Sequence, residues 1–169
     1  MGDRVEIHLA MGAFITECSN LENMLISMII FTNASKSFEE VYLEMLDKTF
    51  GARIREFKKA AALYDFSAEQ RVSLDEIFAD LDSILPKRNF IVHGTTMEMG
   101  VGDGPIVAYR VGAPKGNIHY LNEVISSTGQ AAHVFTAERI RQVTTECMNI
   151  AGRLGPILNF MVNKLVERP

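Results

Sequence analysis

Apolar residues recur near the start of the chain in alternating steps of four and three, through Ile7, Met11, Phe14, Cys18, Leu21, Leu25 and Met28. This is the seam of an α-helix packed in a bundle. The spacing predicts a first helix that opens at Asp3, with Glu6 at capping-box distance, and runs to about Phe31. A second apolar stripe, Leu9, Ala10, Ala13, Ile15, Ile26, Ile29 and Ile30, lies beside the seam. A helix apolar over this much of its circumference is either central or covered by a second subunit, and in a chain of 169 residues the second subunit is the expectation. Glu22 falls on that second stripe, between Ile15 and Ile26, so its carboxylate needs a partner. It serves either a structural ion pair or the orientation of a cationic site residue.

Ser37 and Glu40 have capping-box spacing and open a second helical pattern through Phe38, Tyr42, Met45 and Thr49, then Phe50, Ile54, Phe57, Ala61 and Tyr64. The phase shifts near Gly51, which predicts a bend or break there. Ser67 and Gln70 form a third capping box, followed by Leu74, Ile77, Phe78, Leu81, Ile84 and Leu85. Pro86 lacks an amide hydrogen and should kink or restart this helix, and Gly94 is placed to end it. Over residues 95–135 the period changes: Met97 and Met99 alternate with polar neighbours, and Ile106 to Val111 is a strand-like run between the turns Gly102-Asp103-Gly104-Pro105 and Ala113-Pro114-Lys115-Gly116. Ala132 to Phe135 can add a strand. Thr136 caps a last helix whose seam is Ile140, Val143, Cys147, Ile150, Leu154, Ile157, Met161 and Leu165, with Gly152, Gly155 and Pro156 expected to bend it. The pattern predicts a mainly α single domain over residues 1–169, an antiparallel four-helix up-and-down bundle with a small β-hairpin excursion between the third and last long helices.

Composition narrows the chemistry. A net charge of -4 gives no global attraction for nucleic acid, so any such contact needs a local basic patch. The densest basic cluster is Arg53, Arg55, Lys58 and Lys59, either a solvated helix face or that patch. Cys18 and Cys147 both fall on apolar seams, which leaves no disulfide framework and no CxxC metal site and suits a reducing cytoplasm. No basic leader is expected at the start, and the apolar run Met24 to Phe31 is far shorter than a membrane span. No cofactor is implied. His8, His119 and His133 lack ligands at metal spacing and read as surface or strand residues.

One stretch is not accounted for by packing: Lys87-Arg88-Asn89-Phe90-Ile91-Val92-His93-Gly94. On a continuous helix Asn89 and His93 share a face, while Arg88 and His93 differ by roughly 140° of rotation and about 7.5 Å of rise, a gap that a long arginine stem can bridge. A guanidinium can hold a phosphodiester bidentately and an imidazole can move a proton near neutral pH, so the group suits metal-independent RNA cleavage through the 2′-hydroxyl. The residues alone equally admit a structural role, with Arg88 paired to an acid such as Glu22 and His93 satisfying the helix end.

Arg88-Asn89-Phe90-Ile91-Val92-His93 resembles the R-N-x-x-x-H form of the R-x(4-6)-H motif of the HEPN superfamily. The helix order, with Leu21-Glu22 in the first helix and Thr49-Phe50-Gly51 in the second, is similar to bacterial HEPN-like proteins. The resemblance implies a homodimer in which two motifs meet, and metal-independent endoribonuclease activity of toxin-antitoxin, defence or RNA-processing type. Arg88 would then stabilise the phosphate, Asn89 would position it and His93 would act as general base or acid. Lys87, Lys58 and Glu22 would bind substrate or orient the site, with an antitoxin or other protein as a partner. A non-catalytic HEPN module that binds a nucleotide, RNA or a protein is the other outcome the resemblance allows. Gly94-Thr95-Thr96-Met97 stands where family members paired with a nucleotidyltransferase antitoxin carry a modified tyrosine.

Overall fold

The computed structural model describes residues 2–33, 36–99, 107–111 and 134–166. They form five helices, α1 (Gly2–Thr32), α2 (Phe38–Leu46), α3 (Phe50–Leu63), α4 (Ala68–His93) and α5 (Ala137–Val166), with strands β1 (Thr95–Met99), β2 (Val107–Val111) and β3 (Val134–Phe135). The protein is thus mainly helical. Two compact units divide it: the first comprises Met1–Cys18 and Pro86–Glu146, the second Ser19–Leu85 and Cys147–Pro169.

In the second unit, helix starts follow the polar signals in the sequence. Ser37 accepts from the Glu40 amide while the Glu40 carboxylate accepts from the Ser37 amide, a complete capping box. Ser67 and Gln70 exchange the same two bonds at the start of α4. The break expected near Gly51 falls at Asp47 to Thr49, where the Thr49 hydroxyl accepts from the Ala52 amide and caps α3. The seams predicted for α1, α3, α4 and α5 are buried here: Leu21, Leu25 and Met28; Phe50, Ile54 and Phe57; Leu74, Ile77, Leu81 and Ile84; Cys147, Ile150, Leu154, Ile157 and Met161. Phe57 is fully enclosed with its ring edge-on to Phe78 at 5.2 Å, a burial worth about 2 kcal/mol.

The structure departs from the sequence pattern in several places. Of the seam predicted for α2, Met45 is buried, together with Val41, whereas Phe38 and Tyr42 are exposed and stack on each other with ring centroids 5.9 Å apart. Val41 and Met45, four residues apart, share the face that packing buries. The second stripe of α1 splits: Ala10, Ile26 and Ile29 are buried within the chain, while Leu9, at 68% exposure, and Ile15, at 46%, are not. The two prolines do not interrupt their helices. Pro86 lies inside α4 and Pro156 inside α5, so neither helix restarts there, and each proline removes one intrahelical bond.

The first unit holds the N-terminal part of α1, the end of α4, the sheet and the start of α5. Helix α1 spans Gly2–Thr32, so Asp3 falls inside it and not at the predicted start, and the Glu6 carboxylate meets Arg141 of α5 at 3.3 Å. Ile7, Phe14, Ile91, Val134, Phe135, Ile140 and Val143 are buried. The sheet order is β1-β2-β3, both pairs antiparallel, with Thr96 opposite Arg110 and Arg110 opposite Phe135. Thr136 accepts from the Arg139 amide to cap α5, as expected, and Arg139 donates to the Val134 carbonyl at 2.8 Å while its guanidinium lies over the Phe135 ring. The turns predicted at 102–105 and 113–116, together with His119 and His133, lie outside the described residues.

Candidate functional site

All three motif residues lie on the last two turns of α4, in the first unit. Their orientation follows from Ile91. That side chain is fully buried, and at about 100° per residue both Asn89 and His93 stand roughly 200° from it, so burying Ile91 turns both outward. Asn89 and His93 are accordingly exposed. Arg88 stands only about 60° from Ile91 and is half-buried, with its Nε enclosed and its Nη1 3.5 Å from the Asn89 Oδ1. Guanidinium and amide are therefore adjacent, and the imidazole follows one turn later on the Asn89 face.

Lys87 is engaged by the protein. Its Nζ donates to the Glu146 Oε2 of α5 at 2.6 Å, which ties the start of the motif to the neighbouring helix. Lys58 and Glu22 belong to the second unit. Lys58 donates to both oxygens of Asp82, at 2.9 and 2.7 Å, and lies over the Phe78 ring. Glu22 accepts from Arg53, whose Nε and Nη2 also donate to the Met45 and Leu46 carbonyls at 2.9 and 3.0 Å. Lys59 meets Glu56 at 3.1 Å, so three of the four cations in the predicted basic cluster are matched by carboxylates and Arg55 is exposed.

Arg110 was not singled out by the sequence pattern, although a cation inside the apolar run Ile106 to Val111 is the signal that could have found it. From β2 its Nε donates to the Ile91 carbonyl at 2.8 Å, its Nη2 to the Val92 carbonyl at 3.0 Å and its Nη1 to the Thr96 hydroxyl at 3.2 Å. Burial pushes its guanidinium pKa down from the usual arginine value. Glu146, the anchor of Lys87, was missed as well, because nothing local links residues 59 positions apart.

Among the described residues no group of three or more His, Cys, Asp or Glu side chains is placed to hold a metal ion. None of the described helices is long and apolar enough to cross a membrane. Cys18 and Cys147 are buried free thiols. Comparison with protein-family models, with characterised proteins and with solved structures finds no match to the chain.

Proposed function

We propose that the protein is a metal-independent endoribonuclease of the HEPN type, a single four-helix up-and-down bundle domain that acts as a homodimer. The observation that carries this reading is the placement of Arg88, Asn89 and His93 together at the end of α4, with amide and imidazole open to solvent and the guanidinium beside the amide. Arg88 and Asn89 hold the scissile phosphate. His93 of one copy takes the proton of the RNA 2′-hydroxyl, whose oxygen bonds to phosphorus. The bond from phosphorus to the 5′-oxygen breaks, and protonated His93 of the second copy supplies that oxygen's proton. The products are a 2′,3′-cyclic phosphate and a 5′-hydroxyl, with atoms and charge balanced. The exposure of Val5, Leu9 and Ile15 on α1 supports the second copy, since a second subunit could cover apolar side chains left open among the described residues. In a reducing cytoplasm the free thiols would persist, and an antitoxin or another protein would restrain the activity.

Cleavage of total RNA in EDTA is expected to fall at least roughly 100-fold in His93→Ala and Arg88→Ala, the scale of losing a proton-transfer group or a charge-stabilising donor. Equal activity in wild type and both variants would sink the proposal. The pairing of Arg53, Lys58, Lys59 and Lys87 with carboxylates favours a second reading, a non-catalytic HEPN module that binds a nucleotide, RNA or a partner protein, because among the described residues these cations are already matched by the protein's own acids. That reading predicts saturable nucleotide binding without turnover in the same preparation.

A further inference from the structure

A helix ends with four backbone carbonyls that have no partner within the helix. In α4 these belong to Phe90, Ile91, Val92 and His93, so the orphan groups occupy the turn that carries the proposed proton-transfer residue. Phe90 receives the Gly94 amide at 2.9 Å, while Ile91 and Val92 receive two separate nitrogens of Arg110. Three of the four carbonyls are thereby satisfied, two of them by one side chain that reaches the helix from the sheet. The approach is set by strand register: β1 starts at Thr95, directly after the helix, and Arg110 sits opposite Thr96, whose hydroxyl takes its third nitrogen. A planar fork with fixed donor directions is what two neighbouring carbonyls and a hydroxyl require, and its positive charge faces the negative end of the helix dipole.

These contacts divide the motif in two. The Arg88 and Asn89 turn is held by the burial of Ile91 and by Lys87 on Glu146. His93 is exposed and is the last helical residue, and among the described residues the bonds from Gly94 and Arg110 hold its turn against fraying. We propose that Arg110 is a positioning residue that locks the last turn of α4 and so fixes His93 relative to the phosphate held by Arg88 and Asn89. This rests on the reading of His93 as the proton-transfer group. It makes the sheet part of the active machinery, because breaking the β1 to β2 pairing would release His93 while leaving Arg88 and Asn89 in place.

The experiment uses the full chain and compares wild type, Arg110→Met, Arg110→Lys and His93→Ala. Steady-state RNA cleavage in EDTA is read beside amide hydrogen exchange and the His93 ring resonances, with circular dichroism to establish folding. Arg110→Met is expected to lower kcat roughly 10- to 100-fold with KM within about twofold, the penalty of a misplaced catalytic group. Exchange at the Gly94 amide should quicken about tenfold or more as the last turn opens. Arg110→Lys, which keeps the charge and loses the fork, should recover part of kcat. Wild-type kcat in Arg110→Met, with cleavage still dependent on His93, overturns the positioning role and leaves the reaction standing. Unchanged exchange and ring resonances overturn it also. A wild type that cleaves no RNA while Arg110→Met still frays refutes the reaction, and with it any catalytic role for Arg110, leaving a helix clamp.

Discussion

Replacing Arg53 with methionine tests the polar junction of the second unit. Arg53 reaches from α3 to the Glu22 carboxylate on α1 and to the last two carbonyls of α2, so one side chain joins three helices. Its side chain is 12% exposed and that of Glu22 15%. Breaking a fully buried ion pair costs roughly 3–5 kcal/mol, and an exposed pair is worth about 0–1 kcal/mol. At this degree of burial the loss should lie near the lower end of the first range, about 3 kcal/mol, with the two carbonyl bonds included. For a chain of this size that lowers Tm by roughly 6–12 °C. Urea and thermal unfolding of Arg53→Met, Glu22→Leu and the double variant measure it. The double variant should recover at least about half of the loss, because the apolar pair no longer leaves a desolvated charge behind. A cost under about 1 kcal/mol for Arg53→Met would refute the reasoning and class the pair with screened surface contacts.

The hydrogen bonds from Lys36 and Lys48 hold the Glu44 carboxyl down at about 2. A depressed folded-state pKa gives stability that is present above the unfolded value and lost as pH falls, so the advantage of wild type over Glu44→Gln should shrink from about pH 5 toward about pH 2 in urea unfolding. An advantage independent of pH would count against this pairing. Glu44 in turn raises the Lys36 pKa above its usual 10.5, and that contribution should disappear only as alkaline pH rises through the raised value. At Gly152, inside α5, a methyl group would meet nothing within 4 Å, so Gly152→Ala should stabilise by about 0.5–1 kcal/mol. Gly51→Ala brings its methyl to 3.2 Å from a Leu85 methyl and should gain less than Gly152→Ala in the same thermal melt.

Helix seams, caps and the position of the motif could be read from the chain because each depends on neighbours within one or two turns. Ser37 with Glu40, Ser67 with Gln70 and Thr136 announce helix starts through side chain to backbone bonds three residues long. The seams from Ile7 to Met28 and from Ile140 to Met161 follow a period that backbone geometry imposes. The placement of Arg88, Asn89 and His93 at a helix end needed only Gly94 and the 3.6-residue repeat.

Tertiary structure decided which polar groups meet and which apolar ones are covered. The sequence could say that Glu22 required a cation, yet Arg53 lies 31 positions away, and Lys87 finds Glu146 at a separation of 59. Leu9 and Ile26 look alike in the pattern, but only Ile26 is covered by the chain. Phe38 and Tyr42 fit a seam by spacing, yet packing turns Val41 and Met45 inward and leaves Phe38 and Tyr42 exposed. Arg110 is the clearest case: locally it is a charge in a strand, and strand register carries it to the carbonyls before His93. Local periodicity fixes where a residue sits on its own element, whereas partners across elements depend on register and packing that no short window of sequence contains.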